Sequence, residues 1–428
     1  MSSKLFTRGG FAYPATSMQF KTGTWRVQKP VHQYKHAPCH AACPAGEDPQ
    51  AYIAKLYDGH LQQAWETLVA ANPLPAITGR VCHHPCETGC NRGQYDEAVA
   101  IHSIERFLGD QAIEHNWPYP VEVVKDTDSQ VAVVGAGPAG LSCAYHLTRL
   151  GHKVTLFTAL GEAGGTLHAI PGYRLPDSVI EAEASRVLDI GIDFRPHHRL
   201  GRDIHIDELR QEFKAVFLAV GTQLAKDWSV AGVTPRDLHV GLTVLKEWMA
   251  VGSVPEAHSV AVVGGGNTAV DLSRVLKRAG IPEVHIITSN GLPSEDAAAT
   301  DLMRAVPREI EQALEEGVII HPHRGIRRLL LRGEQVVGLE MVHMKKMPAE
   351  DGGFKRIAFE GTETVLHVDQ VIPAIGQVIN PIGLESLLEG EPVLQVDQFG
   401  QIPGHAGLFA GGDACNKSGG TVTAAVGD

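Results

Sequence analysis

A chain of 428 residues, 43% apolar and 20% charged, has an ordinary globular composition and the length for about three domains. Its formal net charge of −12 argues against nucleic acid as the main partner, and no run of about 18 apolar residues is present to span a membrane. The first ten residues carry Lys4 and Arg8 and no apolar signal region, which predicts a cytoplasmic protein.

Residues 1–36 read as an arm whose aromatics, Phe6, Phe11, Tyr13, Phe20 and Trp25, have no evident core and are expected to lie on a partner. Residues 37–120 read as a small helical domain. Asp48-Pro49 is a helix start, with Asp at the N-cap and Pro at the first helical position. Tyr52, Ile53, Leu56, Leu61, Trp65 and Leu68 recur at helical spacing and are expected to pack. Five of the seven cysteines fall here, as Cys39-x3-Cys43 and Cys82-x3-Cys86-x3-Cys90. In a cytosolic chain such a cluster indicates metal or redox chemistry rather than a disulfide framework, and thiolates suit iron–sulfur or zinc. His40, His83 and His84 read as solvated loop residues. Trp117-Pro118-Tyr119-Pro120 marks a boundary.

Two dinucleotide fingerprints follow. The first runs from the apolar strand Val131–Val134 through Gly135, Gly137 and Gly140; the second runs from Val260–Val263 through Gly264, Gly266 and Ala269. In each, the first glycine makes the turn, the second admits a pyrophosphate, and the third position is small so that helix and strand can pack. The helix N-terminus then offers free N–H groups to the phosphates. Two such units imply two dinucleotides, a flavin and a nicotinamide. Residues 129–222 end in the strand Ala215–Val220 and the turn Gly221-Thr222. Residues 368–428 begin with the strand Val368–Ile372 and end near Gly407–Asp413, so the second domain is expected to be inserted into the first. The predicted division is an arm (1–36), a cysteine domain (37–120), a flavin domain (121–225 and 366–428) and a nicotinamide domain (226–365). Cys143 and Cys415 are isolated, and neither nucleotide domain holds a Cys-x2-Cys or Cys-x4-Cys pair. That argues against disulfide reduction. Direct hydride transfer between the two cofactors requires no catalytic acid or base.

The joint set Thr22-Gly-Thr-Trp25-Arg26, Pro38-Cys39, Cys43-Pro44, Gly79-Arg80-Val-Cys82, Gly135 to Leu141, Pro171 to Pro176, Ala374 to Gln377 and Gly411-Gly-Asp413 resembles the small, flavin-bearing subunit of glutamate synthase and its relatives. These include the flavin part of dihydropyrimidine dehydrogenase and subunits that couple nicotinamide to ferredoxin-type complexes. The resemblance implies an α/β fold of two nested dinucleotide-binding, Rossmann-like domains of the disulfide-reductase type behind a helical cysteine domain. It implies FAD on the first fingerprint, cradled by Gly135, Gly137, Pro138, Ala139 and Gly140. Asp413 beside Gly412 would contact the ribityl or pyrophosphate region. Gly165, Thr166, Leu167, Arg174, Gly221, Gly376, Thr421 and Val422 complete that cofactor set. Thr158 stands where the family places a ribose-binding Glu.

Asn267, Thr268, Asp271 and Thr288 flank the second loop, where the resemblance places the nicotinamide cofactor. NADPH-using relatives carry arginines just after the strand Val284–Ile287. No Lys or Arg occurs from His285 to Met303, which favours NAD(H) over NADP(H). Relatives bind two [4Fe–4S] clusters through eight cysteines. The first Cys-x2-Cys pair is missing here, which leaves one cluster at most, held by four of Cys43, Cys82, Cys86, Cys90 and Glu105, with Cys39 a remnant of the other. A metal-free domain and a zinc site remain alternatives. The expected activity is hydride exchange between NADH and FAD and single-electron exchange with an iron–sulfur partner subunit of a larger oxidoreductase complex. That partner could be the ferredoxin-like subunit of a 2-oxoacid or aldehyde oxidoreductase, or a glutamate synthase large subunit. An NADPH-dependent glutamate synthase small subunit proper, a self-contained reductase and a non-catalytic flavin scaffold are the other readings.

Overall fold

The computed structural model describes residues 36–121, 127–231, 238–293, 301–349, 353–416 and 420–428. The expected arm lies almost wholly outside these residues. Everything below belongs to the unit Pro38–Asp428.

The cysteine domain is built on the helices Pro49–Tyr57, Leu61–Val69, Pro75–Val81 and Ile101–Glu114. The Asp48 carboxylate accepts the Ala51 N–H at 3.1 Å, so the first begins where Asp-Pro places it. Tyr52, Trp65 and Leu68 are fully buried and Ile53 and Leu56 pack against them, whereas Leu61 is exposed. Leu61 is the first residue of its helix, where the face turned to the core has not yet begun. The last two helices touch backbone to backbone: a Cβ on Gly109 would lie 2.3 Å from the Ala76 nitrogen. This close crossing brings Cys82, just past the end of one helix, toward Glu105 in the second turn of the other.

Both fingerprint strands lie in parallel sheets, and their near-continuous burial matches their unbroken apolar sequence. The first sheet is ordered Leu408–Ala410, Ala215–Leu218, Gln130–Val134, Lys153–Phe157, Asp193–Arg195; the second is ordered Gln370–Pro373, Ser259–Val263, Glu283–Ile287, Ile319–His321. An antiparallel sheet of Arg324–Arg332, Gln335–Pro348 and Phe354–Leu366 is inserted between Ile319–His321 and Gln370–Pro373 of the second sheet. The first sheet closes with residues that come after the whole second sheet, so one nucleotide fold interrupts the other. The division at residue 366 needs moving. The strand predicted at Val368–Ile372, placed there with the flavin domain, pairs in parallel with Ser259–Val263, Gln370 opposite Val260. The chain returns later, where Gln377-Val378 pairs with Leu224-Ala225. Among the described residues no helix is long and apolar enough to cross a membrane.

Candidate functional site

The two glycine turns open onto one cleft of about 710 Å3. The helix Pro138–Arg149 points its N-terminus into the cleft, with Gly137 as an N-cap that offers no side chain. Its first N–H groups therefore remain for a ligand. Gly135 has φ +112°, and a Cβ there would lie 2.2 Å from the Ala219 carbonyl oxygen; one on Gly140 would lie 1.8 Å from the Gly135 oxygen. Only glycine fits at these two positions, and the resulting cradle fits a pyrophosphate.

Nineteen of the predicted nucleotide-site residues line this cleft: Gly135, Gly137, Pro138, Ala139, Thr158, Gly165, Thr166, Leu167, Arg174, Gly221, Gly266, Asn267, Thr268, Asp271, Gly376, Gly412, Asp413, Thr421 and Val422. Gly140, Gly264 and Thr288 do not. Gly140 and Gly264 shape their turns, the latter against the Ala374 carbonyl. Thr288 is buried, and its hydroxyl accepts the Asn290 N–H at 3.2 Å. Thr158 does likewise with Leu160 at 3.3 Å. His198 and Arg199, from a neighbouring loop, line the cleft beside Thr158, a juxtaposition without a local sequence signal. Burial, then the nearby Asp428, raises the Asp413 carboxyl, which favours its neutral, hydrogen-bond-donating form.

Arg174 and Asp271, both expected to touch cofactor, meet each other. Arg174 Nη1 donates to both Asp271 oxygens at 2.7 Å, and the two side chains are 9% and 7% exposed. Arg274 continues the network to Glu309 and Glu316, and the Tyr173 ring lies under Arg274 and Arg278. These contacts tie a loop of the first nucleotide fold to the fingerprint helix of the second.

His83 is not solvated. Asn267 Oδ1 accepts the Val306 N–H at 3.0 Å, so the Asn267 amide nitrogen, 2.9 Å from His83 Nε2, is the donor. His83 therefore accepts through Nε2 and carries its proton on Nδ1. Burial and then Arg174 lower its pKa, which keeps the ring neutral. It lines the same cleft, linking the residue after Cys82 to the second glycine turn. His84 is half-buried and stacked on His102, centroids 3.9 Å apart. Only tertiary contacts between distant segments distinguish these histidines from ordinary loop residues.

In the cysteine domain, burial followed by nearby acidic groups pushes the Cys43 thiol up to about 12 and the Cys82 thiol up to about 11. Cys86 is raised as well, by burial and then by Cys82. Glu105 lies among the charges acting on all three. Its Oε1 accepts from Asn72 Nδ2 at 3.0 Å and from the Thr78 hydroxyl, and Asn72 also donates to Glu47 at 2.8 Å. Glu47 is a buried carboxyl that sequence reasoning missed; burial pushes it up to about 7. Backbone N–H groups, Val99 first and then Arg92 and Gly93, lower the Cys90 thiol. Cys39 packs on the edge of the core.

A tetrahedral zinc needs thiolate sulfurs about 3.8 Å apart. Among the described residues, the one trio of His, Cys, Asp and Glu ligand atoms within 4.8 Å of one another contains no cysteine. Cys43, Cys82 and Cys86 share a buried neighbourhood with Glu105, a donor set that suits a cluster in which each ligand binds a separate iron. Cys43, Cys82 and Cys86 with Glu105 would hold it.

The structure also changes the ground for choosing the nicotinamide. The stretch without Lys or Arg ends at Met303, and Arg304 turns back to the second glycine loop. Its N–H donates to the Gly265 carbonyl at 2.9 Å and the residue lines the cleft. Arg356, from the antiparallel sheet, donates to Asn290 Oδ1 at 3.2 Å, three residues past the strand Glu283–Ile287. Two arginines thus stand near the second glycine loop and past the strand that follows it, on segments that a search beside the strand does not cover.

The profile of the pyridine nucleotide-disulphide oxidoreductase family matches residues 129–428, and that of dihydropyrimidine dehydrogenase domain II, 4Fe-4S cluster, matches residues 29–117. The beta subunit of an NADP(+)-dependent formate dehydrogenase from Moorella thermoacetica is 34% identical over 407 residues, 88% of this chain and 56% of that protein. The beta subunit of an NADPH-Fe(3+) oxidoreductase from Geobacter sulfurreducens is 35% identical over 82% of this chain and 53% of its own length. The chain thus spans about half of each. The small chain of the NADPH glutamate synthase of Escherichia coli is 30% identical over 90% of this chain and 85% of that protein. Among solved structures, Mycobacterium tuberculosis FprA in complex with NADPH superposes with a TM-score of 0.58 at 16% identity, over 70% of this chain and 83% of that one, a likeness of fold.

Proposed function

This chain belongs to the pyridine nucleotide-disulphide oxidoreductase family, among the relatives of the glutamate synthase small chain, and on that premise we propose that it exchanges hydride between NADP(H) and FAD and passes electrons singly to an iron–sulfur partner subunit. It is an NAD(P)H-dependent flavoprotein oxidoreductase with a 4Fe-4S-type domain. The observation that carries the proposal is the single cleft into which both glycine turns open.

The first turn and the N-terminus of the helix Pro138–Arg149 would hold the FAD pyrophosphate. Gly412, Asp413, Thr421 and Val422 would face the rest of the cofactor. Bound FAD supplies the chemistry that links two-electron hydride transfer to one-electron carriers. The protein contributes alignment and exclusion of water. Asn267, held by Val306 and His83, and the second turn would place the nicotinamide nucleotide. A cluster on Cys43, Cys82, Cys86 and Glu105 would stand between the cleft and the partner.

Two observations support NADP(H) where the sequence favoured NAD(H): the positions of Arg304 and Arg356, and the cofactors printed in the names of the Moorella, Geobacter and Escherichia proteins. Relatives named as subunits or small chains support a partner. The test is an anaerobic titration of the purified chain with each nucleotide, followed by flavin absorbance. NADPH is expected to bleach the flavin at one equivalent and at lower concentration than NADH, and Arg304→Ala to weaken NADPH about tenfold or more while leaving NADH unchanged. Tighter NADH binding returns the choice to NAD(H). A flavin that neither nucleotide reduces refutes the hydride reading.

A further inference from the structure

We propose that His84, Glu87 and His102 form a binding site for a zinc-class divalent cation, separate from the thiols. His84 is the N-cap of the short helix Pro85–Thr88, Glu87 is its third residue, and His102 lies in the first turn of Ile101–Glu114. Their ligand atoms all lie within 4.8 Å of one another, the one such trio among the described residues. Glu87 Oε1 is 2.7 Å from His102 Nδ1, and Glu87 Oε2 is 3.9 Å from His84 Nδ1. Tetrahedral zinc sets neighbouring nitrogen and oxygen donors about 3.3 Å apart. The observed spread brackets that value, and the two imidazoles, stacked at 18° with centroids 3.9 Å apart, would turn their planes to share the ion.

Two features of His84 bear on the site. Its backbone is left-handed, φ 54° and ψ 47°, a conformation that a non-glycine residue keeps where its surroundings impose it. Its Nε2 is buried without a hydrogen-bond partner. The other two residues are already oriented. Glu87 accepts the His102 backbone N–H at 3.0 Å, which fixes the carboxylate. His102 Nε2 lies 3.2 Å from the Ser103 hydroxyl, the kind of outer contact that steers a ligating imidazole.

Two imidazoles and one carboxylate select zinc, cobalt, nickel or ferrous iron over magnesium or calcium. Both histidines face a cavity of about 600 Å3 that Arg80, Arg106 and Arg308 also line. A fourth coordination position open to it takes water or a small anion. Cys82 lines the same cavity, and its sulfur receives the His84 N–H at 3.4 Å, so the test must separate nitrogen from sulfur ligation.

The full chain, purified anaerobically and with its iron content measured, is titrated with Co2+ and then with Zn2+. One equivalent of Co2+ is expected to bind with weak visible bands and no thiolate-to-cobalt charge transfer, and Zn2+ to displace it. His84→Asn tolerates the left-handed backbone. It and His102→Gln are each expected to weaken binding about a hundredfold or more, with flavin and iron content unchanged. Failure to bind that equivalent, thiolate charge transfer in the bound cobalt, or unchanged affinity in both variants overturns the proposal.

Discussion

The Arg174–Asp271 pair is expected to couple the two nucleotide folds, and a double-mutant cycle measures it. Both side chains are at least nine-tenths buried, both Asp271 oxygens lie 2.7 Å from Arg174 Nη1, and Glu309 is 3.3 Å from Nε. Asp271→Ala strands a buried guanidinium with Glu309 alone, a loss of about 3 kcal/mol. Arg174→Ala strands Asp271 instead. Burial already raises that carboxyl against the pull of Arg174, so it can take up a proton, and the loss is smaller, about 2 kcal/mol. The double variant leaves neither group stranded and is expected to lose about 3 kcal/mol rather than the sum of the two, a coupling of about 2 kcal/mol. Urea unfolding of the four flavin-free chains, followed by far-ultraviolet circular dichroism, measures each value. Additive single losses would refute the reasoning, because they would mean that each side chain is satisfied independently of the other.

Three further substitutions probe the remaining parts. Gly140→Ala places a Cβ 1.8 Å from the Gly135 carbonyl and is expected to lower the flavin-to-protein absorbance ratio about tenfold while circular dichroism stays close to wild type; full flavin content would show that the loop does not hold the pyrophosphate. Cys86→Ser is expected to reduce iron from about four per chain to below one with flavin retained, and unchanged iron would remove Cys86 from the ligand set. Glu183 accepts the Ala76 and Ile77 N–H groups at 2.7 and 2.9 Å, and burial outweighs those bonds and pushes its carboxyl up to about 8. The folded state therefore holds this proton more tightly than the unfolded chain, so the stability it contributes is complete below about pH 4.5 and is lost as pH rises through about 8. Glu183→Gln is expected to flatten the decline in urea midpoint between about pH 4.5 and pH 8, and equal declines in variant and wild type would rule Glu183 out as its source.

What the sequence made legible is what is decided locally. Glycine turns after apolar strands, Asp48 before Pro49 and the interrupted strand order each follow from backbone geometry or spacing, and they located the cleft before any contact was known. What it concealed is what chain reversal creates. Arg174 and Asp271 are 97 residues apart, and each alone looks like a cofactor ligand. Arg304 reaches the second glycine loop from a return turn, and Arg356 reaches Asn290 from a separate sheet. The carboxyl Glu47 joins Asn72, Thr78 and Glu105 from four different segments, and no periodicity marks any of them as buried. The strand Gln370–Pro373 was placed with the wrong fold because an apolar run shows that a strand exists but not which edge it joins.

The six-residue helix Val422–Gly427 borders both halves of the chemistry. Val422 forms part of the cleft wall, Ser142 binds the Val426 carbonyl at 2.6 Å, and Gly427 lies so close to Pro44, the neighbour of Cys43, that a Cβ there would sit 2.0 Å from its carbonyl oxygen. At about 1.5 Å per residue the helix is only about 9 Å long. Among the described residues, the path from the cleft wall to the neighbour of Cys43 is a short packed helix. On the proposed function, an electron passing from the cleft toward Cys43 would cross this one short packed helix.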